Sequence, residues 1–238
     1  MGGPSGKNLV VLSGAGLSAE SGVATFRGQG GLWEGQRIEE VATPGAFHRT
    51  PERVHRFYNL RRAALRTVQP NAAHAALVRL EREWPGRFLH VTQNVDDLNE
   101  RAGARQLVHM HGQLLEIRCT ACDGIWSWDR DVDTRTPCPG CRRAGGLRPH
   151  IVWFGEMPMH LDRIMTALAR VDLFLCVGTS GVVYPAAGFA LMAAENGCRR
   201  LIEVNVEATG ISGDFTERRH GPASVEVPRL VNELLEQR

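Results

Sequence analysis

Four short apolar runs punctuate this chain, and each closes on small or hydrogen-bonding residues. Asn8–Leu12 leads into Ser13-Gly-Ala-Gly16, Phe88–Thr92 into Gln93-Asn94, Val171–Val177 into Gly178-Thr-Ser180, and Leu201–Val204 into Asn205. Apolar runs of this length bounded by turn formers read as strands buried on both faces. Between them the apolar spacing changes to a helical period over Asn71–Glu83 and Pro185–Asn196, and an amphipathic stretch, Val227–Gln237, closes the chain. Strands alternating with helices predict an α/β fold, a Rossmann-like parallel sheet with helices on both faces. Two segments interrupt the alternation. Trp33–Pro70 is proline-punctuated and helical in its second half, and Glu116–Gly146 is rich in cysteine and turn residues.

In open parallel sheets ligands bind beyond the carboxyl ends of the strands. The four polar strand ends therefore mark one site. Gly14-Ala-Gly16-Leu-Ser-Ala19 matches G-x-G-x-x-G/A directly after the first predicted strand. Glycines there let the backbone approach a pyrophosphate, although the motif alone also fits a plain strand–helix turn. A hydride-transferring enzyme would want a second strand ending in an acidic residue about 20 residues on. Glu39 and Glu40 stand at that distance, but Gly28–Arg37 before them is not a strand. The pattern predicts a bound dinucleotide without simple hydride transfer.

Cys119, Cys122, Cys138 and Cys141 form two C-x-x-C pairs separated by fifteen residues. Two such knuckles can close a tetrahedral zinc site, with a redox pair as the alternative reading. Four thiolates fill the coordination shell, so the expected zinc is structural. The expected domains are 1–33, 71–115 and 147–238 for nucleotide binding. A helical insertion at 34–70 and a zinc module at 116–146 would form a smaller domain. Hydrophobic residues make up 43% of the 238 and charged residues 23%, and the net charge is +2. That balance argues for a globular protein and against direct nucleic-acid or membrane binding. No apolar run reaches the ~18 residues of a membrane span, and Met1–Lys7 lacks a signal-peptide core, so the cytoplasm is the expected compartment. Reduced metal-binding cysteines agree. Lys7 is the single lysine, so arginine supplies the rest of the 28 basic residues. Compositional bias of the source accounts for that most simply.

Together the motifs resemble the sirtuin family of NAD-dependent protein deacylases. The matching pieces are Gly14-Ala-Gly-Leu-Ser-Ala-Glu-Ser-Gly22, Thr25-Phe-Arg27, Gly31-Leu-Trp33, Thr92-Gln-Asn-Val-Asp96, His109-Met-His-Gly112, the four cysteines, Val152-Trp-Phe-Gly-Glu156 and Gly178-Thr-Ser180. They span most of the chain in family order, and the nearest likeness is to bacterial enzymes of the desuccinylating type. Thr25 stands where many sirtuins carry Asp, and Asn99 where the family commonly carries His.

The resemblance implies that NAD is a co-substrate. The acyl oxygen of an acyl-lysine attacks the ribose carbon as nicotinamide leaves, and a ribose hydroxyl deprotonated by histidine then attacks the imidate. The products are lysine, nicotinamide and 2′-O-acyl-ADP-ribose. A base titrating near neutrality suits that step. The resemblance assigns it to His111 and leaves His109 as the decoy. It implies NAD contacts from Gly14, Ala15, Gly16, Ser18, Ala19, Glu20, Thr25, Phe26, Arg27 and Trp33. Further contacts follow from Gln93, Asn94, Val95, Asp96, Gly178, Thr179, Ser180, Asn205, Val206, Glu207 and Ala223. Val152, Trp153, Phe154 and Gly155 would pair as a strand with the substrate peptide. The implied partners are acylated lysines of proteins, and a monomer is the default.

Val54, Phe57, Tyr58, Arg61, Leu65 and Val68 share one helical face. An inward guanidinium needs an anionic partner, and no acidic residue lies on that stripe. Arg61 could hold a ligand carboxylate with help from Tyr58; reaching solvent or a distant carboxylate is the alternative. The resemblance agrees with the first, since Tyr-x-x-Arg marks sirtuins that remove succinyl and malonyl groups. Two other functions compete: a zinc-ribbon nucleic-acid binder, and a mono-ADP-ribosyltransferase or NAD hydrolase on the same scaffold.

Overall fold

The computed structural model describes residues 6–24, 32–33 and 35–236, with backbone only at 32–33. The chain opens with strand β1 (Leu9–Ser13) and the single-turn helix α1 (Gly16–Ala19), followed by a small ribbon, β2 (Leu32–Trp33) and β3 (Gln36–Arg37). Helices α2 (Ile38–Val41), α3 (Pro44–Arg49) and α4 (Pro51–Leu65) follow. Pro44 and Pro51 each sit in a first helical turn, where a missing N–H costs nothing. Next come α5 (Ala72–Glu83), β4 (Phe88–Thr92), α6 (Leu98–Ala102) and β5 (Leu107–His109). Asn71 caps α5 through Ala73 N–H, while His74 Nδ1 accepts from the Asn71 amide. The cysteine segment carries β6 (Gly112–Cys119), β7 (Ile125–Ser127) and β8 (Leu147–Ile151). The remainder is α7 (Leu161–Leu168), β9 (Leu173–Val177), α8 (Phe189–Glu195), β10 (Arg200–Asn205), β11 (Glu217–His220) and α9 (Ala223–Glu236).

Six strands form one parallel sheet in the order β11-β10-β9-β1-β4-β5. Alternate residues of the apolar runs serve its two faces. Leu9, Val11, Leu173 and Leu175 pack with α5 and α9, through residues such as Leu77 and Leu230. Val10, Leu12, Phe174 and Cys176 pack with α7 and α8, through Ile164 and Phe189. Both faces are covered, so the strands read as continuous apolar runs rather than alternating ones. All four predicted strands are present. Pattern reading passes over β5 and β11, the two edge strands. They are short, and β11 is Glu-Arg-Arg-His with no apolar residue. The last helix starts at Ala223, a turn before the predicted Val227, and carries Pro228 inside it.

Strand order reverses at β1. The chain moves outward through β4 and β5, then returns to lay β9, β10 and β11 on the other side. This opens a crevice between the ends of β1 and β9. A second sheet, antiparallel and ordered β7-β6-β8, stands beyond it. Because β6 begins at Gly112 and pairs with β8, the expected break between residues 115 and 116 falls inside a strand. Helices α2 to α4 lean on these strands through Val41, Val54, Tyr58, Leu114, Ile151 and Trp153.

Candidate functional site

The crevice is closed from below by glycines that face each other. Gly14 N–H donates to Val177 O at 2.9 Å and Gly16 N–H to Gly178 O at 2.8 Å. A Cβ on Gly16 would sit 2.6 Å from Gly178 Cα, and Gly178 has φ +62°. No side chain fits between the two turns, so bare backbone is left facing the space above. Helix α1 is only one turn long, so these glycine turns rather than a long helix end border the crevice. Thr179 and Asn205 extend it: Asn205 Nδ2–H donates to Thr179 O at 2.8 Å, and Gln93 Nε2–H donates to Thr179 Oγ1 at 3.0 Å. The ends of β4, β9 and β10 thus converge on one point.

The Gln93–Asp96 segment is held from behind. Asn94 Nδ2–H donates to Ser18 Oγ at 3.1 Å, and Ser18 Oγ lies 3.4 Å from His74 Nε2. His74 Nδ1 already accepts from Asn71 N–H, so its proton sits on Nε2. Burial holds the His74 pKa at about 4, which keeps that ring neutral. Asp96 is buried, and burial raises its carboxyl pKa against the opposing bonds from Leu98 N–H and the Ser18 hydroxyl.

The two histidines after β4 have opposite characters. His109 places Nδ1 2.9 Å from Asn94 O and Nε2 2.6 Å from Glu100 Oε1. Two acceptors demand two ring protons, so His109 is an imidazolium. Burial lowers its pKa, but the Glu100 carboxylate and the Asn94 carbonyl outweigh that and leave it raised. Among the described residues His111 places only Nδ1 within hydrogen-bond reach of protein, 3.2 Å from Gln93 O. Nδ1 donates there, which leaves the Nε2 lone pair as the basic position. Burial lowers the His111 pKa below its ordinary 6.5, against the weaker effect of that carbonyl. The following Gly112 has φ +80°, and a Cβ there would lie 2.1 Å from His150 O. Only glycine can let the chain turn from β5 into β6 at this point.

Tyr58 and Arg61 are buried on α4, one turn apart, with 0% and 7% of their surface exposed. The Arg61 guanidinium lies 5.6 Å from the Phe57 ring centre. His55 and Arg62 are buried on the flanks of the same stripe. Arg62 donates from Nε to Leu114 O at 3.0 Å and from Nη1 to Asn59 Oδ1 at 2.7 Å, tying α4 to β6. Val152–Gly155 follow β8 without being a strand. Val152 N–H donates to His111 O, Trp153 N–H to Glu156 Oε2, and Phe154 N–H to Ala42 O. These three amide donors are thus engaged within the fold.

The four cysteine sulfurs lie within 4.8 Å of one another, with Cys119–Cys141 at 3.8 Å and Cys122–Cys138 at 3.7 Å. A tetrahedral zinc with bonds of about 2.3 Å sets its sulfurs about 3.8 Å apart. The knuckle amides of Ala121 and Cys141 point at the sulfurs of Cys119 and Cys138, at 3.4 and 3.5 Å. These residues fit a structural zinc and leave no position for a reactive water. Trp126 packs over both knuckles, and a Cβ on Gly140 would lie 2.9 Å from its ring.

Thr25, Phe26, Arg27 and the side chain of Trp33 lie outside the described residues. Gly14, Ala15, Gly16, Gln93, Asn94, Gly178, Thr179 and Asn205 border the crevice. Val206 and Glu207 are exposed just past β10. The Glu20 carboxylate accepts from Ser224 N–H at 2.8 Å and Ser224 Oγ–H at 2.6 Å. Its visible work is to cap α9 beside Ala223. Asn99 is buried at the start of α6, and its Nδ2 meets no acceptor among the described residues. Sequence reading missed the supporting residues His74, Glu100, Arg148 and Glu156. His74 carried a local signal, its place three residues after the cap Asn71, and Glu156 closes the Val152–Glu156 motif without a role being read from it.

A sequence model described as the Sir2 family matches residues 14–185. An NAD-dependent protein deacylase of Bdellovibrio bacteriovorus is 56% identical over 232 residues, covering 97% of each chain. One from Vibrio vulnificus is 52% identical over 231 residues, covering 96% of this chain and 94% of its own. Among solved structures, a Sir2 homologue–NAD complex superposes with TM-score 0.88 at 40% identity, covering 98% of this chain and 91% of that one. A Sir2 bound to acetylated peptide gives TM-score 0.82 at 27% identity, covering 96% and 94%.

Proposed function

The chain belongs to the Sir2 family, and from that premise we propose that it is an NAD-dependent protein-lysine deacylase that removes acetyl and also succinyl or malonyl groups. The observation that carries the reading is His111. It is neutral, its Nδ1–H is anchored on Gln93 O, and its Nε2 is left as a base beside the glycine cradle. In this reading the diphosphate lies over Gly14, Gly16 and Gly178. Asn94 and Asp96 receive the nicotinamide end, with Asp96 held by Leu98 N–H and Ser18. The acyl oxygen displaces nicotinamide from the ribose, and His111 then takes the proton of a ribose hydroxyl as it attacks the imidate. Supporting groups hold each part still, so positioning as well as proton transfer lowers the barrier. Acylated lysines of cytoplasmic proteins are the inferred substrates. No helix among the described residues is long and apolar enough to cross a membrane.

Deacylation needs His111 unprotonated. Its pKa lies below its ordinary 6.5, so the one-proton acid limb of kcat/KM is expected to be centred below that pH. A pH–rate profile checks this, and a limb centred above pH 7 would contradict the assignment.

Arg61 and Tyr58 are the groups inferred to read an acyl carboxylate, supported by their burial one helical turn apart. Charge-assisted bonds to a buried carboxylate make a difference on the order of 100-fold. Arg61→Met is expected to lower succinyl-lysine kcat/KM by about that factor and acetyl-lysine kcat/KM by less than about tenfold. Parallel assays on one peptide, with mass detection of 2′-O-acyl-ADP-ribose, decide it. Equal loss on both substrates removes the carboxylate reading. Nicotinamide release without any acyl-peptide requirement would instead indicate an NAD hydrolase or ADP-ribosyltransferase.

A further inference from the structure

Trp153 is buried, and its indole Nε1–H donates to the Tyr58 phenol oxygen at 2.9 Å. The indole is held in place from three sides. The Arg148 guanidinium carbon lies 3.4 Å from the Trp153 ring centre. Arg148 is itself clamped by both Glu156 oxygens, at 2.6 and 2.8 Å, and by Ile151 O at 2.8 Å. Glu156 Oε2 also accepts the Trp153 amide at 2.8 Å, and the Phe47 ring packs 5.5 Å away. A cation–π stack and a buried fork-to-fork ion pair therefore fix the direction of one N–H.

That direction matters for Tyr58. Indole N–H can only donate, so the phenol must accept from it. A phenol O–H lies near the ring plane, and an incoming N–H on one side turns the hydroxyl proton to the other. Burial raises the Tyr58 pKa to about 12, which keeps the proton on the oxygen. Tyr58 thus accepts from the indole on one side and presents its hydroxyl proton as a donor on the other. A donor is what a carboxylate beside Arg61 requires, whereas an acetyl methyl gains nothing from it.

We propose that Trp153, clamped by Arg148 and Glu156, is a positioning residue for acyl-chain selectivity that acts through the Tyr58 hydroxyl. The proposal rests on Tyr58 and Arg61 as carboxylate readers. The bland alternative is that Tyr58 merely satisfies a buried indole.

A double-mutant cycle on acetyl- and succinyl-lysine forms of one peptide separates these. Trp153→Phe is expected to raise the succinyl KM, and so lower the succinyl-to-acetyl kcat/KM ratio, by about 3- to 10-fold. In a Tyr58→Phe background the same change is expected to alter the ratio by less than about twofold. An unchanged ratio with Trp153→Phe, or equal loss in both backgrounds, overturns the proposal. If Tyr58→Phe and Arg61→Met both leave the ratio unchanged, the carboxylate reading itself fails and takes this proposal with it. If they shift the ratio and Trp153→Phe does not, only the role of Trp153 fails. Should Trp153→Phe not fold, ¹⁵N spectra of the unaltered protein and of Tyr58→Phe supply the test. The indole N–H resonance displaced by Tyr58→Phe is expected to move with succinyl peptide and to move less with acetyl peptide. Equal movement, or none, overturns the proposal.

Discussion

If His111 is the general base, as proposed, His111→Ala is expected to reduce lysine deacylation by about 10²- to 10⁴-fold, the range that loss of a positioned base produces. The variant is expected to stay folded, because among the described residues the His111 side chain bonds to Gln93 O alone and its backbone carbonyl is held by Val152 N–H. Its pattern of failure is more informative than its size. In the proposed mechanism attack of the acyl oxygen on the ribose needs no base, so labelled nicotinamide should still exchange into NAD in the presence of acyl peptide. Formation of free lysine should not occur at a comparable rate. His109 cannot take over, since both its ring nitrogens face acceptors and it has no lone pair to offer. Exchange assays run beside deacylation assays check this. Near-normal turnover in His111→Ala would mean that a different residue is the base.

Zinc removal should have a comparably large effect on stability. The module around the cysteines has a core of Ile117, Cys119, Trp128, Val132, Cys138 and Leu147. Two of those six are thiols, so without a metal the core is too small to hold its loops. Structural zinc contributes on the order of 10–16 kcal/mol to small domains of this type, against ~5–15 kcal/mol for a whole ordinary domain. The damage should reach the base. Val152 N–H holds His111 O, and β6 leaves from Gly112 to pair with β8. We expect one zinc per chain by elemental analysis. Cys138→Ser, or chelation under denaturant-free conditions, should drop the thermal midpoint by more than about 10 °C and activity by at least about tenfold. The two packed faces of the main sheet are separate cores, so much helical circular dichroism should survive. A metal-free protein with an unmoved midpoint and full activity would rule out a structural zinc.

Much of the framework is legible in the chain because local signals and tertiary needs agree. β1 is apolar throughout since both its faces are covered, and Gly14 and Gly16 follow because the turn meets Gly178 with no room for a Cβ. The cysteine spacing carries its own geometry. The stripe of α4 announces the burial of Tyr58 by period, whereas for Arg61 period left solvent or a distant carboxylate open and the structure shows the burial. Where such signals are weak the reading fails. Strand β11 has no apolar residue, since an edge strand of charged side chains needs only its neighbour's backbone. The amides of Val152, Trp153 and Phe154 are committed within the fold, and no property of those residues alone reveals that.

The pair of histidines from which a base could come was marked by the family resemblance; the sequence by itself determined the α/β class, the glycine turn after the first strand and the cysteine quartet. These depend on period, composition and spacing, which are properties of neighbouring residues. Only the tertiary structure decided which histidine is neutral, which amides are spent, and that Trp153 donates to Tyr58 across 95 positions of sequence. Protonation and hydrogen-bond direction depend on burial and on partners brought from distant segments. The tautomer of His111 is therefore set by a carbonyl 18 residues away, and the charge of His109 by Glu100 on a neighbouring helix.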